Sequence, residues 1–185
     1  MICKNIKHSI FLSVLFFVGS IQGGYAQEAS DMETVPEMQA ASFTPPFDFP
    51  IVFSGNFGEI RANHFHGGLD FKTGGAIGKP VRALADGHIS RIRVTHGSGY
   101  VLDVDYDNGY STINRHLSAF VGDIARRVKA LQYEKESWEV EITPEPGEYP
   151  VKAGQVIALS GNTGYSFGPH LHLDCLLYTS DAADE

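Results

Sequence analysis

The residues of this chain best suited to chemistry are histidines. Five of the eight, His64, His66, His116, His170 and His172, stand beside glycines and turn residues. His66 is followed four positions on by Asp70, with Gly67-Gly68 between them. Glycines let the backbone bend tightly and approach other groups closely, so an imidazole and a carboxylate can meet at one point. His170-Leu171-His172 follows Gly168-Pro169 in a run with strand character. Residues two apart on a strand face the same side, about 6.6–7 Å apart along the backbone, so both imidazoles can border one cavity. Two histidines and an aspartate can supply three ligands of a zinc ion and leave the fourth position for a water, which the ion acidifies. Spacing leaves open which of His170 and His172 would be the ligand. Each pair alone is a weak signal, and a set of hydrogen-bonded core groups is the competing reading. His64 shares a face with His66 and reads as a supporting group or an alternative ligand; only His66 has an aspartate at the right spacing. His88, in a hairpin, and His96, before Gly97-Ser98-Gly99, read as surface or turn residues.

Other chemistries fit badly. The chain has no Gly-x-Ser-x-Gly nucleophile elbow, and Gly161-Asn162-Thr163-Gly164 lacks the Lys-Ser/Thr ending of a phosphate-binding loop. Net charge is −8 with no basic run, which argues against nucleic acid or an anionic membrane as the main partner. Two cysteines, Cys3 and Cys175, make no disulfide framework.

The elements that must hold these histidines read as mainly β. Twenty glycines and nine prolines in 185 residues imply many turns. Ile51 to Phe53, Leu69 to Lys72, Val81 to Leu84, Val156 to Leu159 and the run carrying His170 to Leu173 have strand character. Asp86-Gly87 predicts a hairpin between Val81–Leu84 and His88–Val94. Ile89, Ile92 and Val94 break strict alternation, which points to a bulge. Leu102, Val104 and Tyr106 alternate with Asp103 and Asp105 as on a half-buried strand, and Asp107-Asn108-Gly109 turns the chain into a partner from Tyr110 to Asn114. One helix interrupts the pattern. Val121, Ile124, Ala125, Val128 and Leu131 fall at helical spacing, Arg126, Arg127 and Lys129 take the solvated face, and Ser118 or Gly122-Asp123 could cap its start. Residues 134–150 read as a strand and a surface loop.

The length holds one domain with a tail at each end. Residues 1–26 read as a cleaved secretory signal: Lys4 and Lys7 precede an apolar core from Ile10 to Val18, and Gly24-Tyr25-Ala26 supplies the small residues before the cut. The core is short for a membrane span, so no span is expected after cleavage. Residues 27–46 read as a flexible lead-in, with the domain from 47 to 174. From Cys175 the text resembles the translation of a sequencing-library adapter, so residues 175–185 are expected to be foreign and the strand carrying His172 to fray.

Taken in order, His66-x-x-x-Asp70, Arg115-His116-Leu117 and Gly168-Pro169-His170-Leu171-His172 resemble the lysostaphin-type (LytM-type) zinc metallopeptidases. Gly78-Lys79-Pro80-Val81, Ala85-Asp86-Gly87, Asn108-Gly109-Tyr110, Val151-Lys152-Ala153-Gly154-Gln155 and Ser160-Gly161-Asn162-Thr163-Gly164 extend the likeness from about Phe57 to Asp174. The insert from about Phe120 to Pro150 looks like the version in exported Bacteroidetes proteins. The resemblance implies an antiparallel β-sheet or sandwich of the duplicated-hybrid-motif kind with one inserted helix, and a groove over one zinc. It implies zinc held by His66, Asp70 and His172, with His116 and His170 as the catalytic pair beside the zinc-bound water, their separate roles open. It implies an exported endopeptidase of the periplasm or cell envelope, acting on the peptide stems or cross-links of peptidoglycan. Some relatives instead lack the zinc ligands and activate cell-wall amidases; here all the ligands are present. Asn114 and Tyr106 stand where the family often has Tyr and His, which touches the shape of the groove.

Overall fold

The computed structural model describes residues 42–62 and 64–177; the expected signal, most of the lead-in and the end of the tail lie outside the described residues. Eleven strands and one helix follow in order: β1 (Phe53–Gly55), β2 (Leu69–Lys72), β3 (Pro80–Arg82), β4 (Gly87–Thr95), β5 (Gly99–Tyr106), β6 (Tyr110–Leu117), β7 (Ala119–Phe120), α1 (Gly122–Glu134), β8 (Val140–Ile142), β9 (Pro150–Val151), β10 (Val156–Leu159) and β11 (His170–Leu177). A large antiparallel sheet runs β1-β2-β11-β6-β5-β4-β8, with β9 beside β8 on the same edge of β4; a small antiparallel sheet runs β3-β10-β7. The mainly β, antiparallel architecture with one helix agrees with the sequence reading.

One face of the large sheet turns to the core. Ile89, Ile92, Val94, Leu102, Val104, Tyr106, Leu117, Leu171 and Leu173 are buried there, and Val81, Phe120, Ile157 and Ala158 of the small sheet with Ile124 and Val128 of α1 belong to the same cluster. The expected alternation of β5 holds. The bulge expected in β4 lies between Ile89 and Arg91, where the register with β5 shifts, and it returns Ile92 to the core face. Tyr106 and Asn114 both point into the core. The Tyr106 hydroxyl accepts from the Leu84 amide at 3.2 Å and meets Thr112 Oγ1 at 3.0 Å, while the Asn114 amide donates to the Leu102 carbonyl at 3.1 Å.

Two expectations need correction. Asp86-Gly87 makes no hairpin: β3 and β4 belong to different sheets. Gly87 is needed for another reason, since a Cβ there would strike the Asp105 carbonyl, and the Asp86 carboxylate takes the Ala153 amide and the Lys152 ammonium, each at 2.9 Å. No side chain caps α1; Val121 holds the cap position, Asp123 lies in the first turn against the positive helix end, and Ser118 Oγ donates instead to the Ser160 carbonyl at 2.8 Å. Ahead of Phe47, the Thr44 amide donates to the Leu84 carbonyl at 2.7 Å, and Pro46 is buried and accepts from the Arg82 amide. Cys175, Leu176 and Leu177 continue β11 against Thr112, Ser111 and Tyr110, since ladder hydrogen bonds are made by backbone whatever the side chains.

Leu102 is fully buried on a central strand, away from the histidines. Leu102→Ala should cost about 3 kcal/mol of unfolding free energy in urea titration, the loss typical of a cavity left by a buried leucine. A loss under about 1 kcal/mol would show that this face is not the core.

Candidate metal centre

The opposite face of the large sheet carries the polar residues. β2 and β11 pair antiparallel in a register that sets His172 directly opposite Asp70, so both side chains leave the same face. His66 reaches them from the preceding loop. There the Gly58 amide donates to the His66 carbonyl and the His66 amide to the Glu59 carbonyl, each at 2.8 Å. Gly67-Gly68 then crosses close above β11: a Cβ on Gly68 would meet the Leu173 carbonyl and the Asp174 carboxylate.

Three atoms converge. His66 Nε2 lies 3.0 Å from Asp70 Oδ1 and 3.0 Å from His172 Nδ1, and these last two are 2.9 Å apart. Each partner's remaining polar atom is already engaged. His66 Nδ1 donates to the Asn56 carbonyl at 2.8 Å, which leaves Nε2 with a lone pair in the neutral ring. His172 Nε2 donates to Asp174 Oδ1 at 2.8 Å, which leaves Nδ1 with a lone pair. Asp70 Oδ2 accepts from Arg61 Nη2 at 3.1 Å, which leaves Oδ1 facing the two nitrogens. Three acceptors thus share one point with no hydrogen between them in the neutral rings. Only a cation or an added proton makes such a cluster favourable, and two imidazoles with one carboxylate are a donor set that suits zinc. Burial alone would raise Asp70, but the His172 hydrogen bond and the neighbouring imidazoles outweigh it and hold the carboxyl at about 2. Burial alone would lower His172, but its bonds to Asp174 and Asp70 push it up to about 9. Without a metal, therefore, the proton takes the cation's place.

His116 and His170 border the same space. Their ring centroids are 5.0 Å apart, and the His116 and His172 centroids are 6.0 Å apart. Both anchor through Nδ1, His116 on the Thr163 carbonyl and His170 on the Gly168 carbonyl, each at 2.8 Å. Both therefore keep Nε2 for other partners, and His170 Nε2 lies 3.5 Å from Asp70 Oδ1. Burial lowers His116 to about 4, so its ring is neutral near pH 7. Its aim comes from a bulge in β6. Tyr100 pairs with Leu117 and Leu102 with Asn114, which leaves Arg115 and His116 together opposite Val101. His116 takes the left-handed backbone, φ 60°, that a branched or bulky side chain rarely adopts. The Thr163 hydroxyl pins the bulge by donating to the Leu117 carbonyl at 2.6 Å, and Gly161 lies where a Cβ would strike the His116 carbonyl.

The structure thus brings together His66, Asp70, His116, His170 and His172. His64 is exposed on the loop and is not among the three converging residues.

Curated relatives point the same way. A Haemophilus influenzae protein described as an uncharacterized metalloprotease is 36% identical over 118 residues, covering 63% of this chain and 19% of its own length. The peptidoglycan DD-endopeptidase ShyB of Vibrio cholerae is 32% identical over 112 residues, covering 60% and 20%. A zinc-containing peptidase of Vibrio cholerae, solved by crystallography, superposes with a TM-score of 0.55 and 27% identity over 74% of this chain and 37% of its own. The domain is similar in sequence and in fold to the lysostaphin-type (LytM-type) metallopeptidases. The chain spans about a fifth of the length of these two curated relatives. No protein-family profile matches it.

Several groups at this site escape a reading of the sequence. Asp174 orients His172 and is itself held by Arg115, whose Nε and Nη2 reach its other oxygen at 2.9 and 2.8 Å. The signal was present, because Asp174 is two residues past His172 and so on the same strand face. Arg61 and the carbonyls of Asn56, Thr163 and Gly168 had none, since their role depends on how loops fold back.

Zinc at about a hundred times its Kd should raise the unfolding free energy of the protein by about 2.7 kcal/mol. His64→Ala should keep that gain, and Asp70→Ala and His172→Ala should lose it. Asp174→Asn should weaken metal affinity about 10–100-fold while the fold persists, as expected when a ligand's supporting hydrogen bond is removed. An undiminished gain in His172→Ala, read by chemical denaturation, would show that the ligand set is wrong.

Proposed function

We propose that this domain is an exported zinc endopeptidase that hydrolyses peptide bonds in the stems or cross-links of peptidoglycan. The observation that carries the reading is the convergence of three lone-pair atoms within 3.0 Å of one another, flanked by two histidines that are not part of the cluster. His66, Asp70 and His172 would hold one zinc ion. Bound there, zinc supplies Lewis-acid polarisation of a scissile carbonyl and brings the pKa of a water towards about 7.

The protein's own groups do the rest. His116, neutral and anchored through Nδ1, offers an unprotonated Nε2, the form that accepts a proton and later returns it to the leaving amine. His170, on the same strand face as His172 and anchored through Nδ1 on the Gly168 carbonyl, would donate from Nε2 to the oxygen on which charge develops when its ring carries a second proton. Arg115 and Asp174 keep the His172 ring in one tautomer through the cycle.

The substrate class rests on the Vibrio cholerae relative named a peptidoglycan DD-endopeptidase. The periplasm or cell envelope follows from the signal-like first 26 residues, which lie outside the described structure. No helix among the described residues is long and apolar enough to cross a membrane. A regulator that only binds amidases needs no metal site, and the intact ligand set and flanking histidines favour catalysis over that role.

The zinc-loaded protein should convert cross-linked peptide dimers in purified sacculi to monomers, read by mass spectrometry of the released fragments. His116→Ala should keep one zinc and lose about 10²–10⁴ in turnover, the usual share of a general acid–base group. Bound zinc with no cleavage of sacculi or defined muropeptides would move the reading to the regulator. Loss of zinc from a folded His116→Ala would remove this role from His116.

A further inference from the structure

We propose that Arg61 is a positioning residue that makes Asp70 a one-oxygen ligand and so keeps a coordination position open for water or substrate. The inference rests on His66, Asp70 and His172 being the metal site. A carboxylate near a cation can bind through one oxygen or through both, and the second mode would occupy the place that a hydrolytic site must leave free. Here the two oxygens of Asp70 have separate fates. Oδ1 lies 3.0 Å from His66 Nε2 and 2.9 Å from His172 Nδ1, while Oδ2 accepts from Arg61 Nη2 at 3.1 Å. The charge-assisted bond to Arg61 competes directly with rotation of Oδ2 towards the nitrogens.

Arg61 is itself fixed. The same Nη2 reaches Glu59 Oε2 at 3.1 Å, and the Arg61 amide donates to the His64 carbonyl at 2.9 Å in the loop that ends at His66. Gly55 on β1 closes the arrangement from the other side, since a Cβ there would collide with both Asp70 Oδ2 and Arg61 Nη2. Gly55 is not in the left-handed region, so this close approach is the evident reason for a glycine at that position. Glu59, Arg61 and Gly55 thus form a clamp on the carboxylate oxygen that faces away from the ligand cluster.

Cobalt(II) substitution tests this without any substrate, because four-coordinate cobalt absorbs strongly in the visible and five-coordinate cobalt much more weakly. Wild type with one cobalt per chain should show the strong spectrum. Arg61→Met should still bind cobalt through the same three residues, with affinity reduced about tenfold or more. Its bands should weaken as Asp70 takes up the metal through both oxygens. Arg61→Lys, which keeps the charge, should restore part of the intensity. Gly55→Ala displaces the same pair while keeping every polar side chain and should show the same weakening, so the test survives if Arg61→Met fails to fold. Unchanged spectra in a folded Arg61→Met or in Gly55→Ala would overturn the proposal. A changed spectrum in a protein that cleaves no peptidoglycan would leave this role standing and reject only the peptidase reading.

Discussion

The structure depends on a crowding that no uncharged environment would tolerate. His66 Nε2, Asp70 Oδ1 and His172 Nδ1 lie within 3.0 Å of one another, and the outward hydrogen bonds of each residue leave lone pairs on the inward side. A unit charge pair at 3 Å interacts by about 5 kcal/mol at an effective dielectric constant of 20 before desolvation is counted, so a cation at this point would oppose the crowding of the three acceptors. Without one, a proton must be drawn in, as the raised pKa of His172 shows. The fold holds the acceptors in place before either arrives, which is the preorganisation a metal site needs.

That preorganisation is built from ordinary β-sheet rules applied in two places. Antiparallel register between β2 and β11 puts His172 against Asp70 and leaves His170 on the same face. The bulge in β6 breaks the alternation once, so that Arg115 and His116 both serve the polar face, Arg115 on Asp174 and His116 on the Thr163 carbonyl. The left-handed backbone of His116 is disfavoured for a residue with a Cβ, and it persists because Thr163 and Gly161 surround it. The core side of the same strands buries Phe71, Leu117, Leu171 and Leu173 with the hydrogen-bonded Thr112 and Asn114, so the polar face can be specialised without disturbing it.

Much of this was legible in the sequence, for physical reasons. Alternation along Leu102, Val104 and Tyr106, and the helical spacing of Ile124 and Val128, report burial directly, and burial is what the structure shows. The histidine and aspartate positions stood out beside glycine-rich turns, but each pair alone was a weak signal, and their division into ligands and flanking pair came from the resemblance. The hairpin at Asp86-Gly87 misled because a glycine needed for close backbone approach looks the same as one needed for a turn. The bulge at His116 left no trace, since Arg115 and His116 are both polar and either could face solvent. Arg61 was invisible because its contact with Asp70 is made by a loop folding back across nine residues.

The central claim is that the three converging atoms hold a metal. A crystal of the full chain grown with one equivalent of zinc, with diffraction recorded on both sides of the zinc absorption edge, tests it directly. An anomalous peak within bonding distance of His66 Nε2, Asp70 Oδ1 and His172 Nδ1 together is the predicted result. A peak on His64 or His170 in place of His66 or His172, or no peak within reach of Asp70, would contradict it.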